Sequence, residues 1–290
     1  MLGQRVITAA ILLIVIAGAL MVPSVWPFVV LLALATGAAG WEWLRLTLPG
    51  ERRATWALLG GLAMFAIAIT LAFQWIGPLK HETSSGLTAS LMLQALVPLT
   101  SAIWIFAVIP MIVRGRADAP PGSALLSVFA FPALLTTWGA LTLMFLGLGA
   151  KLVLTLLAVV WVADIAAYFV GRAIGKRKLA PRVSPGKTVE GALAGVLAVV
   201  IWIAATSFWP GSFGYELARV WTLFGALMIA ALLGVLSIAG DLFESLLKRR
   251  AGIKDSSNLL PGHGGVFDRI DAILSVTPVA LLFLTQGGFA

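Results

Sequence analysis

The chain contains no cysteine and only two histidines, His81 and His263, among its 290 residues. Without cysteine it can form no disulfide and offers no thiolate nucleophile. Protein zinc sites are usually built from cysteine and histidine, so a site of that kind is also disfavoured. The sequence therefore excludes thiol chemistry and argues against a zinc enzyme.

Charged residues are scarce as well, at 11% of the chain against 60% hydrophobic residues. A mean hydropathy of +1.03, with repeated apolar runs of span length, indicates an integral membrane protein. The net charge of +8 could suggest nucleic acid binding, but basic cytoplasmic loops are the commoner cause in such proteins. The sequence also lacks the interleaved aromatic and basic residues of a nucleic-acid-binding surface.

We predict an all-α polytopic membrane protein with nine transmembrane helices in a single membrane domain, residues 1–290. Residues 1–150 would supply N-terminal helices of unclear role, and residues 151–290 the catalytic helices and loops. Pro110 and Pro132 are candidate kink points. The first run could be a signal peptide, but its length and the lack of a cleavage site favour an uncleaved helix. The predicted spans are 5–22, 25–44, 55–73, 88–113, 123–148, 151–171, 188–209, 220–243 and 267–287.

The distribution of cations predicts the orientation. With nine spans and a cytoplasmic N-terminus, 17 of the 20 lysines and arginines lie on the cytoplasmic side. Only Lys80, Lys151 and Arg219 lie on the other side. Polar segments near the C-terminus would therefore face the cytoplasm, where nucleotides are.

Asp164 lies within an otherwise apolar helix, VVWVADIAAYFVGR. An ionisable group at this depth is costly, so we expect it to face the bundle interior and to mark a functional site. Tyr168 and Arg172 follow at i+4 and i+8 and share its helical face. The alternative is that Asp164 pairs with a basic neighbour for structural reasons.

A second polar group, SPGKTVEG (residues 184–191), begins the seventh predicted span. Ser184, Thr188 and Glu190 are typical of an ordinary helix N-terminus. Free N–H groups at a helix start, together with Lys187, would also suit a phosphate. The segment is not a Walker A loop, because Pro181 stands where the first glycine belongs and no strand is predicted before it.

The third polar group spans the end of the eighth predicted helix and the start of the ninth. Asp241 and Glu244 are i,i+3 neighbours, and Glu244 is also four residues before Lys248. Such a helix end can simply carry salt bridges and snorkelling cations. That interpretation does not explain the passage that follows, KRRAGIKDSSNLLPGHGGVFDRID (residues 248–271).

In that passage the GHGG tetrapeptide permits unusual dihedral angles and a close approach of backbone to a ligand. Asp268 and Asp271 repeat the i,i+3 carboxylate spacing at the start of the last helix. Carboxylates suit Mg²⁺ and the surrounding cations suit phosphates. We therefore predict a magnesium and phosphate site where these two helix ends meet.

The segment SLLKRRAGIKDSSNLLPGHGGVFDRID, residues 245–271, resembles the signature of the phosphatidate cytidylyltransferases, also called CDP-diacylglycerol synthases. DIAAYFVGRAIGK and SPGKTVEG also resemble segments of that family, and the likeness covers about residues 160–275. Every position that the signature defines is matched. These positions are Ser245, Lys248, Arg249, Lys254, Asp255, Ser257, Leu260, Pro261, His263, Gly264, Gly265, Asp268, Arg269 and Asp271.

The resemblance implies that CTP and phosphatidic acid react to give CDP-diacylglycerol and pyrophosphate, with Mg²⁺ required. It also implies an all-helical membrane fold and a homodimer. We expect the protein in the bacterial inner membrane, and the cation distribution predicts that its active site faces the cytoplasm. The aspartates matching Asp241 and Asp268 bind the metal in that family. Candidates for a second cation, or for orienting basic groups, are Asp164, Glu244 and Asp271.

The nucleophile of this reaction is a phosphomonoester oxygen that is already ionised near neutral pH, so no strong general base is needed. Catalysis should consist of positioning and electrostatic stabilisation. His263 is accordingly expected to bind phosphate or to fix its loop rather than to shuttle protons. The residues predicted to contact the substrates are Arg172, Ser184, Lys187, Thr188, Ser245, Lys248, Arg249, Lys254, His263, Gly264, Gly265 and Arg269.

Two other functions remain as alternatives. A CTP-dependent polyprenol or phytol kinase would use related chemistry, but the complete signature argues against it. An ion-coupled transporter could use Asp164 and Asp241 as intramembrane ion sites. Transporter sites, however, lie at the midplane between two related halves rather than at one face of the membrane.

Overall fold

The computed structural model describes residue 11 and residues 14–77, 82–120 and 122–286. These residues are almost entirely helical, which confirms the predicted all-α membrane class. Residues 14–21 are helical, and the rest of the first predicted span lies mostly outside the described residues. The helices are α1 (Trp26–Thr47), α2 (Arg53–Trp75), α3 (Glu82–Leu91, Val97–Ile103 and Ile109–Arg114, joined by the π-helical turns Met92–Leu96 and Trp104–Val108), α4 (Ala124–Ile174), α5 (Val189–Thr206), α6 (Phe213–Arg250) and α7 (Phe267–Thr285).

Among the described residues, six helices are long and apolar enough to cross a membrane. One of them, α4, contains both the fifth and the sixth predicted spans in 51 residues. An unbroken helix of that length would be about 75 Å long, more than twice the hydrocarbon thickness. Gly149 breaks it, with φ 80° and ψ 178°, and divides it into two segments of span length. The exact count of nine spans stays a prediction.

The last helix, α7, is long enough to span a membrane at 19 residues. It is not one of the six apolar helices, and its first two turns carry three charged residues, Asp268, Arg269 and Asp271. The same charges that mark its start as a candidate site therefore lower its hydropathy.

The chain divides into two compact units. The first contains the described residues of Met1–Met92, Asp118–Thr142 and Leu247–Ile270. The second contains those of Leu93–Ala117, Leu143–Leu246 and Asp271–Ala290. Most of the segment that resembles the family signature thus groups with the N-terminal helices.

Tryptophans organise the core of the first unit. The Trp43 indole N–H donates to the Leu126 carbonyl at 3.1 Å, and its ring stacks on Phe267 with centroids 5.1 Å apart. Trp138 stacks on Trp75 at 5.3 Å. Because each buried indole couples a large apolar surface to a polar group that needs a partner, these contacts fix helix positions as well as filling space.

Small residues let the helices of the second unit pack closely. A Cβ on Gly191 of α5 would lie 2.7 Å from the Ala167 carbonyl of α4, and one on Gly195 would lie 3.0 Å from the Ala163 carbonyl. Close contact through small residues is the usual way in which membrane helices associate. The α4–α5 contact therefore depends on glycine at these positions.

A two-stranded antiparallel hairpin joins α4 to α5 and consists of β1 (Lys178–Ala180) and β2 (Ser184–Thr188). The prediction that no strand precedes SPGKT is therefore wrong. A three-residue strand has almost no periodic signal in the sequence. Two contacts stabilise the open end of the hairpin. The Arg177 amide donates to Glu190 Oε2 at 3.2 Å, and the Val189 amide donates to the Arg177 carbonyl at 2.9 Å.

The ends of α5 agree with the predicted topology. The basic hairpin adjoins its N-terminus, and Lys151 contacts the loop after its C-terminus, where Lys151 Nζ donates to the Pro210 carbonyl at 3.0 Å. Within the second unit, the cation-rich hairpin and Lys151 thus lie at opposite ends of one membrane-length helix. The cation distribution had predicted that separation.

Candidate active site

In the second unit, the hairpin and α6 bring Lys187 and Asp241 together. Lys187 Nζ lies 2.5 Å from Asp241 Oδ2, and the two side chains are 26% and 31% exposed. The Ser245 hydroxyl, one turn further along α6, donates to Asp241 Oδ1 at 3.4 Å. Three residues that the sequence predicted from separate motifs therefore form one cluster, open in part to solvent.

Two more predicted carboxylates surround this pair. Asp241, Asp164 and Lys187 all lie close enough to Asp271 to interact with it electrostatically. The backbones of α6 and α7 also approach closely here, because a Cβ on Gly240 would lie 2.5 Å from the Asp271 carbonyl. Three carboxylates and one ammonium group thus share a small region, which attracts cations.

Asp164 belongs to this cluster in a different way from the one predicted. The residue is exposed rather than enclosed in the helix bundle, so the expectation that it faces the bundle interior is wrong. The predicted helical face is confirmed, since Arg172 Nη1 donates to the Tyr168 hydroxyl one turn away at 3.0 Å. A charged residue can be exposed on an apolar helix where that face borders water or polar groups.

The other residues of SPGKTVEG have structural roles. Thr188 is buried, and its hydroxyl caps α5 by accepting the Gly191 amide at 3.2 Å. Ser184 pairs with Ala180 in the hairpin. The ordinary helix-cap interpretation is thus confirmed for Thr188. The Lys187 side chain instead extends to the carboxylate of Asp241.

In the first unit, Asp268 accepts hydrogen bonds at both carboxylate oxygens. Lys248 Nζ lies 2.6 Å from Oδ1, and the two side chains are 15% and 5% exposed. Oδ2 accepts the Ser256 amide at 2.9 Å, the Ser256 hydroxyl at 2.8 Å and the Gly265 amide at 2.7 Å. Asp268 therefore fixes the segment between α6 and α7, residues 251–266, which we call the signature loop.

Glu42 of α1 holds the same loop from the other side. Its side chain is fully buried and accepts hydrogen bonds from the hydroxyls of Ser256 and Ser257 and from the amides of Val266 and Phe267. Sequence reasoning missed this residue. A signal was present, because Glu42 is a lone acidic residue inside the apolar run 25–44, the same feature that singled out Asp164.

Two of the loop glycines are required by the geometry. Gly264 has φ +83°, and a Cβ there would lie 2.7 Å from Asp268 Oδ2. A Cβ on Gly265 would collide with Ser256 Oγ and Glu42 Oε1. A tight turn precedes them, in which the His263 amide donates to the Leu260 carbonyl and the Leu260 amide donates to the Gly264 carbonyl.

His263 Nδ1 is buried and makes no hydrogen bond to the residues that the structure describes. Its backbone amide belongs to the loop turn, and the expectation that the residue binds phosphate or fixes the loop stays a prediction. The cations Arg249, Lys254 and Arg269 are exposed, and Glu244 is buried at 1% exposure. Exposed cations of this kind can contact an anionic solute without moving the backbone.

Mg²⁺ prefers oxygen ligands, so the carboxylates of the two units are its candidate ligands. Within the described ranges, no group of three or more His, Asp or Glu side chains is placed to hold a metal by itself. Nucleotide-associated Mg²⁺ usually takes one or two protein carboxylates, with phosphate oxygens and water completing its coordination. Asp241 fits that requirement, because its side chain is partly exposed and the carboxylates of Asp164 and Asp271 lie near it. Asp268 is mostly enclosed by hydrogen-bond donors and offers a metal less room.

Comparison with known proteins agrees with these motifs. Residues 3–286 match the Cytidylyltransferase family. The chain is 37% identical to the phosphatidate cytidylyltransferase of Pseudomonas aeruginosa over 290 residues, which cover 100% of this chain and 99% of that protein. It is 33% identical to the Haemophilus influenzae protein of the same name over 96% of both chains. A Brucella suis phosphatidate cytidylyltransferase is 46% identical over 145 residues, 49% of each chain.

Gly265→Ala is expected to displace the signature loop, because the new methyl group would occupy space held by Ser256 and Glu42. Forcing a methyl group into such a packed site typically costs about 1–3 kcal/mol. Limited trypsin digestion at Lys254 and Arg269 should accelerate in the variant, and its apparent melting temperature in detergent should fall. Gly86→Ala is the control, since nothing lies within 4 Å of the position of its Cβ. Equal digestion rates in both variants would contradict the inference that the loop geometry requires glycine at position 265.

Proposed function

The chain belongs to the cytidylyltransferase family, and we propose that it transfers the cytidylyl group of CTP to phosphatidic acid, giving CDP-diacylglycerol and pyrophosphate. The reaction places the protein among the integral membrane enzymes of phospholipid synthesis. The observation that carries the proposal is the Lys187–Asp241 pair, 2.5 Å apart beside Asp271 and Asp164. It offers a cation for phosphate and carboxylates for a metal in one place.

The chemistry needs charge control more than proton transfer. A phosphate dianion must approach the α-phosphorus of a triphosphate, so anionic repulsion is the main obstacle. Lys187 donates to phosphate oxygens when the nucleotide binds. In the first unit, Lys248 is an ammonium group with the same capacity to bind phosphate. Both ammonium groups are held in place by a carboxylate, Asp241 or Asp268, and pre-positioned cations stabilise developing charge without reorganisation.

Exposed cations extend the binding capacity of each unit. Arg249, Lys254 and Arg269 in the first unit, and Arg172 in the second, can contact phosphates of the nucleotide or the lipid. Arginine suits this task, because its planar guanidinium binds two phosphate oxygens at once. Ser245 orients Asp241 through its hydroxyl group.

We propose that Asp241 is a Mg²⁺ ligand, with Asp271 and Asp164 as neighbours that raise the local affinity for cations. When bound, the metal supplies electrostatic stabilisation of charge on the phosphate oxygens. A direct role of Asp268 or Glu244 in metal binding stays a prediction from the sequence. The hydrogen bonds of Asp268 support a second role for it, the fixing of the loop that contains His263, Gly264 and Gly265.

We further propose that the site faces the cytoplasm in a bacterial inner membrane and that the protein is a homodimer. The orientation rests on the 17 of 20 cations predicted on the cytoplasmic side. Soluble CTP is then available from water, while a two-tailed lipid enters laterally from the bilayer. The homodimer rests on the family resemblance, and mass measurement in detergent or nanodiscs tests it.

The purified protein is expected to attach cytidine to the lipid. Incubation with phosphatidic acid, Mg²⁺ and CTP labelled in the cytidine should give labelled lipid and release of pyrophosphate in equal amounts. EDTA should abolish both products, because the triphosphate charge would no longer be neutralised. A lipid kinase would instead leave the label in the water-soluble fraction, and that result would refute the proposal.

Asp241→Asn is expected to reduce kcat at least about 100-fold, as the loss of a charge-stabilising group commonly does, while the protein still inserts and purifies. The reduction should be accompanied by a higher Mg²⁺ concentration at half-maximal rate. Asp118→Asn is the matched control, because Asp118 is an exposed loop residue. Full turnover in Asp241→Asn at wild-type Mg²⁺ concentrations would remove the assigned metal ligand.

Lys187→Ala is expected to raise the KM for CTP by about tenfold or more, since a charge-assisted hydrogen bond of about 1.5–3 kcal/mol is lost. Its melting temperature should change little, because the side chain is partly exposed and the hairpin backbone does not depend on it. Lys178→Ala, at an exposed position of β1, should leave the KM unchanged. Identical KM values in the two variants would reduce Lys187 to a structural residue.

A further inference from the structure

Glu42 is distant in sequence from the signature loop but contacts both its middle and its C-terminal end. Its Oε2 lies 3.1 Å from the Ser256 hydroxyl and its Oε1 lies 2.5 Å from the Ser257 hydroxyl. The amides of Val266 and Phe267 donate to Oε1 at 3.1 Å and to Oε2 at 2.6 Å. One side chain of α1 therefore holds the middle of the loop and its junction with α7 at a fixed separation.

The two amide contacts cap a helix. Phe267 is the first residue of α7, so the amides of Val266 and Phe267 belong to the donors that no helical carbonyl can reach. A carboxylate at this position satisfies those donors and interacts favourably with the partial positive charge of the helix N-terminus. The start of α7, and with it the position of Asp268, therefore depends on Glu42.

A shared hydroxyl links Glu42 to Asp268. Ser256 Oγ lies 3.1 Å from Glu42 Oε2 and 2.8 Å from Asp268 Oδ2. A serine hydroxyl has one proton, so it can donate to only one of the two carboxylates at a time. The hydrogen bonding of Asp268, which positions Lys248, is thus coupled to the charge of Glu42.

The neighbouring residue of α1 strengthens the same junction. Trp43 stacks on Phe267 with ring centroids 5.1 Å apart and donates its indole N–H to the Leu126 carbonyl. Glu42 itself is 0% exposed, and a buried carboxylate persists only where donors replace its lost hydration. Glu42 and Trp43 therefore form a rigid support that the loop does not contain in itself.

We propose that Glu42 is a positioning residue of the enzyme: it acts through the signature loop to hold Asp268 and Lys248 in the geometry that receives the phosphates. The residue contacts no substrate in this role. Its kinetic consequence rests on the proposed function, whereas its effect on loop order does not. The N-terminal helices, to which the sequence assigned no role, thereby contribute to the site through the signature loop.

The proposal is tested by Glu42→Gln, with Glu51→Gln, on the exposed α1–α2 connection, as the matched control. Glu42→Gln places an amide N–H₂ among donors, so hydrogen exchange of peptides spanning residues 256–267 should accelerate about tenfold or more. The kcat should fall by about 10–100-fold, as for other residues that orient active-site ligands. Glu42→Asp, which keeps the charge on a shorter side chain, should recover part of both losses. Glu51→Gln should match the wild type.

A second variant keeps the proposal testable if Glu42→Gln does not fold. Ser257→Ala removes a single donor and should raise loop exchange and lower kcat to a smaller degree. The two substitutions should be non-additive, because they remove the same contact. Wild-type exchange and kcat in either purified variant, or strictly additive losses in the double variant, would overturn the proposal.

Activity and hydrogen exchange together distinguish a failure of the proposed function from a failure of the positioning role. A wild-type protein that transfers no cytidylyl group would refute the proposed function, and loop exchange in Glu42→Gln would still decide the positioning role. Equal loss of melting temperature and kcat in Glu42→Gln and Glu42→Asp would indicate a role in stability alone and would overturn positioning.

Discussion

Buried carboxylates impose the main constraint on this structure. Removing a charged group from water costs several kcal/mol even after the protein relaxes, and this cost is offset only when hydrogen bonds or cations surround it. Hydrogen bonds to charged groups contribute about 1.5–3 kcal/mol each. Two amides and the Ser257 hydroxyl donate to Glu42, two amides and Lys248 donate to Asp268, and the two carboxylates share the Ser256 hydroxyl. A loop rich in glycine and serine is ordered because it supplies those donors.

The same constraint accounts for the chemical character of the site. Each unit contains a lysine paired with an aspartate, Lys187 with Asp241 and Lys248 with Asp268. An ammonium group held by a carboxylate is already desolvated in part and fixed in place, so it can turn to an incoming phosphate with little reorganisation. Reactions at phosphorus depend mainly on such positioning. The proposed cytidylyl transfer needs little more from the protein than these arranged charges.

The N-terminal helices support the signature loop. The polar motifs lie in the second half of the chain, yet α1 supplies Glu42 and Trp43 to the signature loop. The first unit accordingly combines residues of the N-terminal helices with residues 247–270. Membrane helices without a polar motif of their own can thus hold an active-site loop through one or two polar or aromatic side chains.

The sequence by itself determined the membrane class, the polar segments and the family, because hydropathy, charge and a long motif are local properties of the chain. It also named Lys187, Ser245 and Asp241 as candidate site residues from separate motifs, and the tertiary structure brings their side chains together. Only the tertiary structure revealed Glu42, since its four donors lie more than 200 residues away along the chain. Exposure of Asp164 and the short hairpin before SPGKT were likewise decided by packing between distant segments. Periodicity reports which face of a helix is apolar, but the identity of its partners depends on contacts that no local pattern contains.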